Sequence, residues 1–205
     1  MKRVHLLSVC ILLILHSCNN KVSDKKIFRF NQVQNVESLD PAFAKNQNIM
    51  WHVHITYNRL IEYNENMEVQ PSLAKSWTIS DDRLTYTFHL RNDVFFHDND
   101  VFANGRGRKM KASDVVYSFS RIIDEKTASP GAWIFNDRID TLQPFVAIDD
   151  TTFQLKLIRP FNPMLGILSM QYCSVVPHEA VEKWGKDFRS HPCGTGAFRM
   201  QDWEE

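Results

Sequence analysis

The apolar positions of this chain follow two periods, and the changes between them mark its elements. Residues 6–15 are an apolar run behind Lys2 and Arg3, well short of the ~20 apolar residues a membrane-spanning helix needs. Residues 19–26 are polar without period and read as a tether. Alternation in Ile27-Phe28-Arg29-Phe30-Asn31 predicts a strand, turned by Ser38-Leu39-Asp40-Pro41. Over 47–61, Ile49, Met50, Val53, Tyr57, Leu60 and Ile61 recur at about 3.6 residues, predicting a helix with one core face. Trp77 and Ile79, then Leu84, Tyr86, Phe88 and Leu90 alternating with Thr85, Thr87 and His89, predict a hairpin turned at Ser80-Asp81-Asp82-Arg83, with His89 on the solvent side.

Past a glycine-bearing loop, Ser113 offers an N-cap to a helix whose Val115, Val116, Phe119, Ile122 and Ile123 point inward, with Asp114 placed well against the dipole. A strand over 152–157 turns Phe153, Leu155 and Leu157 inward and is stopped by Pro160 and Pro163. Pro177 opens a short helix with Ala180, Val181 and Trp184 on one face and Gly185 as its C-cap. Phe198 and Met200 suggest a last strand. The mixed order of helices and strands gives an α/β or α+β arrangement, without repeats or low-complexity tracts.

Charge adds little to this picture. Lys plus Arg and Asp plus Glu balance at 24 each, so no general field draws the chain to nucleic acid or an anionic surface. The basic cluster Arg106, Arg108, Lys109 and Lys111 lies among glycines and reads as a solvated loop. No CxxC pair or HExxH is present, and His52 and His54 sit two apart in a helical pattern, which points the rings apart; no metal site is expected. Neither a P-loop nor a GxSxG elbow occurs, so no nucleotide cofactor and no catalytic residue is assigned.

The amino terminus carries targeting chemistry. Leu15-His16-Ser17-Cys18 resembles the bacterial lipobox, in which the cysteine takes up diacylglycerol; residues 1–17 are then a lipoprotein signal peptide and Cys18 the attachment site. The alternative is an ordinary signal peptide that leaves Cys18 a spectator. A single acyl chain holds a protein only marginally, and diacylation gives stable attachment. An exported protein can also pair Cys173 with Cys193. The competing and favoured reading is that both are buried thiols packing as small apolar residues.

Several stretches carry a resemblance to a known family. Ser38-Leu39-Asp40-Pro41 follows the first strand, and Tyr57-Asn58-Arg59-Leu60-Ile61 follows the first helix. Pro71-Ser72-Leu73-Ala74-Lys75-Ser76-Trp77, continued through Tyr86-Thr87-Phe88-His89-Leu90-Arg91 and Asp93-Val94-Phe95-Phe96-His97-Asp98, is the most specific. Lys111-Ala112-Ser113-Asp114-Val115-Val116-Tyr117-Ser118, Ala147-Ile148-Asp149-Asp150, Val176-Pro177 and Gly194-Thr195-Gly196-Ala197-Phe198 complete the series. Over 27–205 the chain resembles the amino-terminal part of the family 5 extracytoplasmic solute-binding proteins, the peptide-binding components of ABC importers.

The resemblance implies a type II periplasmic-binding-protein-like fold. Residues 27–46 and 161–205 would belong to the main sheet of the first lobe and 47–160 to its inserted β-rich subdomain, with the second lobe absent. It also implies binding without chemistry: two lobes close on a peptide whose backbone pairs with the protein's own, and the loaded receptor docks on a permease served by ATPase subunits. The protein would be exported and lipid-anchored through Cys18 on the periplasmic or cell-surface side. Asn35, Val36, Glu37 and Ser38 would reach the ligand cleft; a solvated loop is the competing reading. Trp133 would give an aromatic wall or else a core tryptophan.

This sequence departs from the family in a longer 98–111 loop. It also has Gly131 where peptide binders often carry an aromatic after the proline. Members run to more than twice this length, so the sequence is expected to be a truncated form. Within the same fold the solute could be a nickel complex, haem or a sugar oligomer. A surface lipoprotein with a structural or adhesive role is the reading from another class.

Overall fold

The structure is a computed structural model that describes residues 27–29 and 31–203. Residues to Val33 form one unit and Gln34–Glu205 another. The described part of the first contains no helix or strand. The signal and tether segments, with Cys18, lie outside the described residues.

The second unit is built on a four-stranded antiparallel sheet ordered β3-β4-β6-β5, from β3 (Ala74–Ile79), β4 (Thr85–Leu90), β5 (Phe145–Asp149) and β6 (Thr152–Lys156). The expected hairpin is β3–β4, with Trp77 opposite Phe88. Its turn works as the sequence suggests: Asp82 Oδ1 accepts Leu84 N–H at 3.0 Å, and Arg83 takes the left-handed conformation at φ 58. Phe153 and Leu155 of β6 are fully buried, and His89 looks away from the core. The two edge strands, β3 and β5, each carry a register irregularity, a device that blunts unpaired edges.

Helix α2 (Ala112–Ile123) crosses the buried face of this sheet. Phe119 meets Phe145 and Phe153 edge-on, each at 5.5 Å between ring centres, and Phe135 closes on Phe145 at 5.0 Å. Such tilted contacts suit the ring quadrupoles and add to the burial term. The helix starts two residues earlier than Ser113 as N-cap suggests. Lys111 is the capping residue, and its N–H is accepted by the Asp114 carboxylate at 2.8 Å, while Ser113 stays exposed.

Helix α1 (Gln47–Thr56) begins where Asn46 Oδ1 accepts Ile49 N–H at 3.1 Å. It stops five residues short of the expected end because tertiary partners take the next carbonyls. Asn58 O accepts Val175 N–H, Arg59 O accepts Leu73 N–H and Leu60 O accepts Ala74 N–H. Leu60 and Ile61 are still fully buried, but in an extended run that opens β1 (Ile61–Tyr63), paired antiparallel with β2 (Val69–Pro71). Short α3 (Met164–Leu168) follows the sheet, and α4 (His178–Trp184) ends at Gly185 with φ 53, as a C-cap glycine should.

The strands expected at 27–31 and 198–200 are not formed among the described residues, nor is a sheet built from 27–46 and 161–205. Alternation gives a segment two faces, but a strand also needs a neighbour for its N–H and C=O groups. The ladders seen all lie between Ile61 and Lys156. Near its end the chain instead runs along the carboxyl end of α1, where Gly196 N–H meets Thr56 O at 2.9 Å and Phe198 N–H meets Ile55 O at 3.1 Å.

The basic loop is also not uniformly solvated. Arg108 folds under it and holds Asp114 at the start of α2 and Glu179 at the start of α4, at 2.6 and 2.5 Å. Its guanidinium lies over the Phe96 ring, 5.2 Å from the centre. Arg106, Lys109 and Lys111 remain exposed.

Candidate functional site

Asn35 and Glu37 are exposed, Val36 is half-buried against the core, and Ser38 is buried. Among the described residues, the backbone groups of Asn35, Val36 and Glu37 have no hydrogen-bond partner. The stretch is nonetheless held firmly at its base. Ser38 Oγ accepts Asp40 N–H at 3.0 Å, Asp40 Oδ1 accepts Ala42 N–H at 3.0 Å, and Leu39 N–H reaches Arg189 O at 2.7 Å. Ser38 thus serves the turn rather than presenting a free hydroxyl. Glu37 forms an exposed ion pair with Lys45 at 2.9 Å, a contact that contributes little.

The base of this segment is the 3-10 turn Pro41–Phe43, which packs against the turns Pro130–Ile134 and Gln171–Cys173. Ser129 Oγ donates to Ala42 O at 2.5 Å and ties the first two together. Trp133 rides on the second turn and is 45% exposed, so the core reading fails for it. Gly131 is required where it stands: a Cβ there would lie 2.6 Å from the Tyr172 ring. The segment 35–38 and Trp133 therefore sit on elements in mutual contact.

Cys173 and Cys193 are both buried free thiols, so the pairing considered from the sequence is not made. Burial pushes each thiol up to about 12.

A second feature escaped the sequence reading. Asn58, Ser72, Arg91, Asp93, Phe95 and Thr195 line a surface depression of about 220 Å³. Thr195 Oγ1 donates to Asn58 Oδ1 at 3.0 Å across it. His97 Nε2 donates to Gly196 O at 2.8 Å, and burial holds its ring below the usual imidazole range. The glycines on either side of Thr195 allow this closeness, because a Cβ on Gly194 would come within 2.1 Å of Thr56 O and one on Gly196 within 2.5 Å of Ile55 O. The Gly-x-Gly spacing was the available signal. Among the described residues, no three His, Cys, Asp or Glu side chains gather as a metal site would require.

Comparison with known proteins identifies the family and the fold. The profile described as bacterial extracellular solute-binding proteins, family 5 Middle, matches residues 68–205. The dipeptide-binding protein of Escherichia coli (strain K12) is 35% identical over 162 residues, 73% of this chain and 30% of its own length. Heme-binding protein A of Haemophilus influenzae is 35% identical over 161 residues, 72% of this chain and 29% of its own. Among solved structures, the ABC transporter-associated periplasmic binding protein DppA from Helicobacter pylori, in complex with the peptide STSA, superposes with a TM-score of 0.71 at 30% identity. That match covers 82% of this chain and 35% of the other. The chain spans about a third of the length of these relatives, and its fold is that of the corresponding part of a type II periplasmic binding protein. With the profile running from β2 to the end and relatives above 30% identity across most of the sequence, this chain belongs to the family 5 bacterial extracellular solute-binding proteins.

Proposed function

We propose that this chain is part of the solute receptor of an ABC importer and that its solute is a short peptide. The observation that carries this reading is the backbone of Asn35, Val36 and Glu37, outside any helix or strand, without a hydrogen-bond partner among the described residues and anchored behind by Ser38 and Asp40. An exposed stretch with unpaired N–H and C=O groups can pair with the backbone of a peptide, with affinity independent of side chains. Trp133, on the neighbouring turn, would supply an apolar wall. Relatives named for dipeptide binding and a structure containing a bound tetrapeptide support a peptide over other solutes. A relative named for heme shows that the fold also serves a different ligand class. In this role the protein performs no bond chemistry. Cys18 would carry the lipid that keeps the receptor beside its permease and ATPase partners, on the periplasmic or outer face of the membrane.

Nuclear magnetic resonance titration with mixed di- to pentapeptides tests the reading. We expect amide shifts at Asn35–Glu37 and an indole shift at Trp133, with neither produced by haemin or a nickel–histidine complex. Peptides that move none of these resonances at millimolar concentration would refute it. For the anchor, Cys18→Ala should abolish radioactive palmitate incorporation and release the protein from membrane pellets.

A further inference from the structure

Arg59 is an unusual buried cation. Its side chain is 2% exposed, yet among the described residues only one of its donor groups has an acceptor within hydrogen-bond reach, Nη2 to His54 Nδ1 at 3.2 Å. Glu62 Oε2 lies beyond that reach at 3.7 Å, and the other Glu62 oxygen accepts from Gln70 Nε2 at 3.0 Å. Arg59 Nε and Nη1 are buried without a partner among the described residues. A guanidinium keeps its proton throughout the physiological range and can only donate. His54 Nδ1 must therefore present its lone pair, which places the ring's single proton on Nε2 and makes the imidazole neutral.

We infer that His54 and Arg59 form a pH-sensitive latch on the turn from α1 to β1, closed while the imidazole is neutral and released when Nδ1 takes up a proton. That proton removes the acceptor and sets two cations face to face at the same short distance. It can arrive without unfolding, because His54 is on the exposed side of α1. Burial and the Arg59 charge both hold His54 below the usual imidazole range, while Glu62 on β1 pulls the other way. On the adjoining turn Gln171–Cys173, the Tyr172 phenol and the Cys173 thiol are both raised and stay neutral. Asp40, at the turn Pro41–Phe43, is engaged by Arg121.

The latch sits where release would be felt. Asn58, beside Arg59, accepts Val175 N–H on its carbonyl and Thr195 Oγ1 on its side chain, both at 3.0 Å, and Arg59 O accepts Leu73 N–H at 3.0 Å. One turn therefore ties α1, the approach to β3 and the Gly194-Thr195-Gly196 segment together. Acidification should loosen all three attachments at once and open the depression lined by Asn58 and Thr195.

Imidazole-resolved nuclear magnetic resonance on the protein as it stands provides the test. The expected results are an Nε2–H tautomer for His54, a titration midpoint below that of a free histidine, and amide shifts of Asn58, Val175 and Thr195 sharing that midpoint. Arg59→Met should move the His54 midpoint upward. His54→Gln, whose amide oxygen accepts but does not titrate, should preserve the neutral-pH spectrum and abolish those shifts between about pH 5 and 7. If Arg59→Met does not fold, the tautomer and His54→Gln decide. An Nδ1–H tautomer, an unmoved midpoint in a folded Arg59→Met variant, or unchanged shifts in His54→Gln would overturn the latch.

Discussion

Asp40 and Arg121 form a two-pronged ion pair, with Nη1 to Oδ1 at 3.1 Å and Nη2 to Oδ2 at 2.7 Å. Their side chains are only 6% and 13% exposed. The carboxylate that caps the turn after the ligand-segment candidate is thereby bolted to the last turn of α2, the helix that covers the sheet. This contact joins residues 35–38 to the aromatic core, beside the bonds of Leu39 N–H to Arg189 O and Ser129 Oγ to Ala42 O. Arg121 also lies over the Phe188 ring at 5.7 Å, so the pair is packed as well as charged.

Removing one partner should be costly for that reason. Arg121→Met leaves the Asp40 charge buried without a counter-ion, and a loss of about 3–5 kcal/mol is expected from urea midpoints. Adding Asp40→Asn to the same chain should restore a large part of that loss, since the amide needs no counter-ion. A single substitution that costs less than about 1 kcal/mol would mean that the pair is as weak as a surface bridge.

The glycines of the Gly194-Thr195-Gly196 segment make a steric prediction. Gly194→Ala drives a methyl to 2.1 Å from Thr56 O and 2.7 Å from the Tyr57 ring, atoms fixed by backbone and core, and should cost about 1–3 kcal/mol. Hydrogen exchange at Gly196 and Phe198 should accelerate, because their N–H groups bond the same end of α1. Gly105→Ala is the comparison: no atom lies within 4 Å and only the left-handed φ of +68 opposes it, so about 1–2 kcal/mol of strain is expected and no change at 196–198.

The sequence disclosed most where local rules and burial agree. The β3–β4 hairpin was readable because strict alternation on both sides met a turn whose Asp82 bonds its own backbone. The end of α1 was not, because Val53, Tyr57, Leu60 and Ile61 fit a helical face while the carbonyls of residues 58–60 are claimed from Val175, Leu73 and Ala74. No periodicity encodes those partners. Trp133 lies in a 3-10 turn too short to show a face, so its exposure was invisible. Asn35–Ser38 came forward only through resemblance. Arg59, which the motif placed in plain view, gave no hint that its charge is buried beside a histidine.

Arg108 is the charge whose role the local sequence concealed, its carboxylate partners lying 6 and 71 positions away. Four bonds to Asp114 and Glu179, between 2.5 and 2.8 Å, use both edges of the guanidinium. Arg108→Lys supplies one point charge and cannot span both carboxylates. A loss of about 1.5–3 kcal/mol is expected, with faster exchange at the start of α2 and of α4. Arg106→Ala, in the exposed part of the same loop, should stay within about 0.5 kcal/mol.

The two thiols give a prediction in chemistry as well as in stability. Cys173 and Cys193 are raised from 9.0 to about 12 by burial, so the reactive thiolate is scarce and shielded. Iodoacetamide at mildly alkaline pH should leave both unmodified in the folded protein and label both in urea, and the intact mass should be that of two free thiols at these positions. A group whose pKa is higher folded than unfolded binds its proton more tightly in the native state, so its contribution is whole below pH 9 and is lost as pH rises from about 9 towards 12. Unfolding midpoints should accordingly fall across that alkaline window, and less steeply in a Cys173→Ala variant once its lower starting stability is subtracted. Rapid alkylation of the native protein would show that these sites open to solvent far more readily than their packing against Ile167 O and His97 O allows.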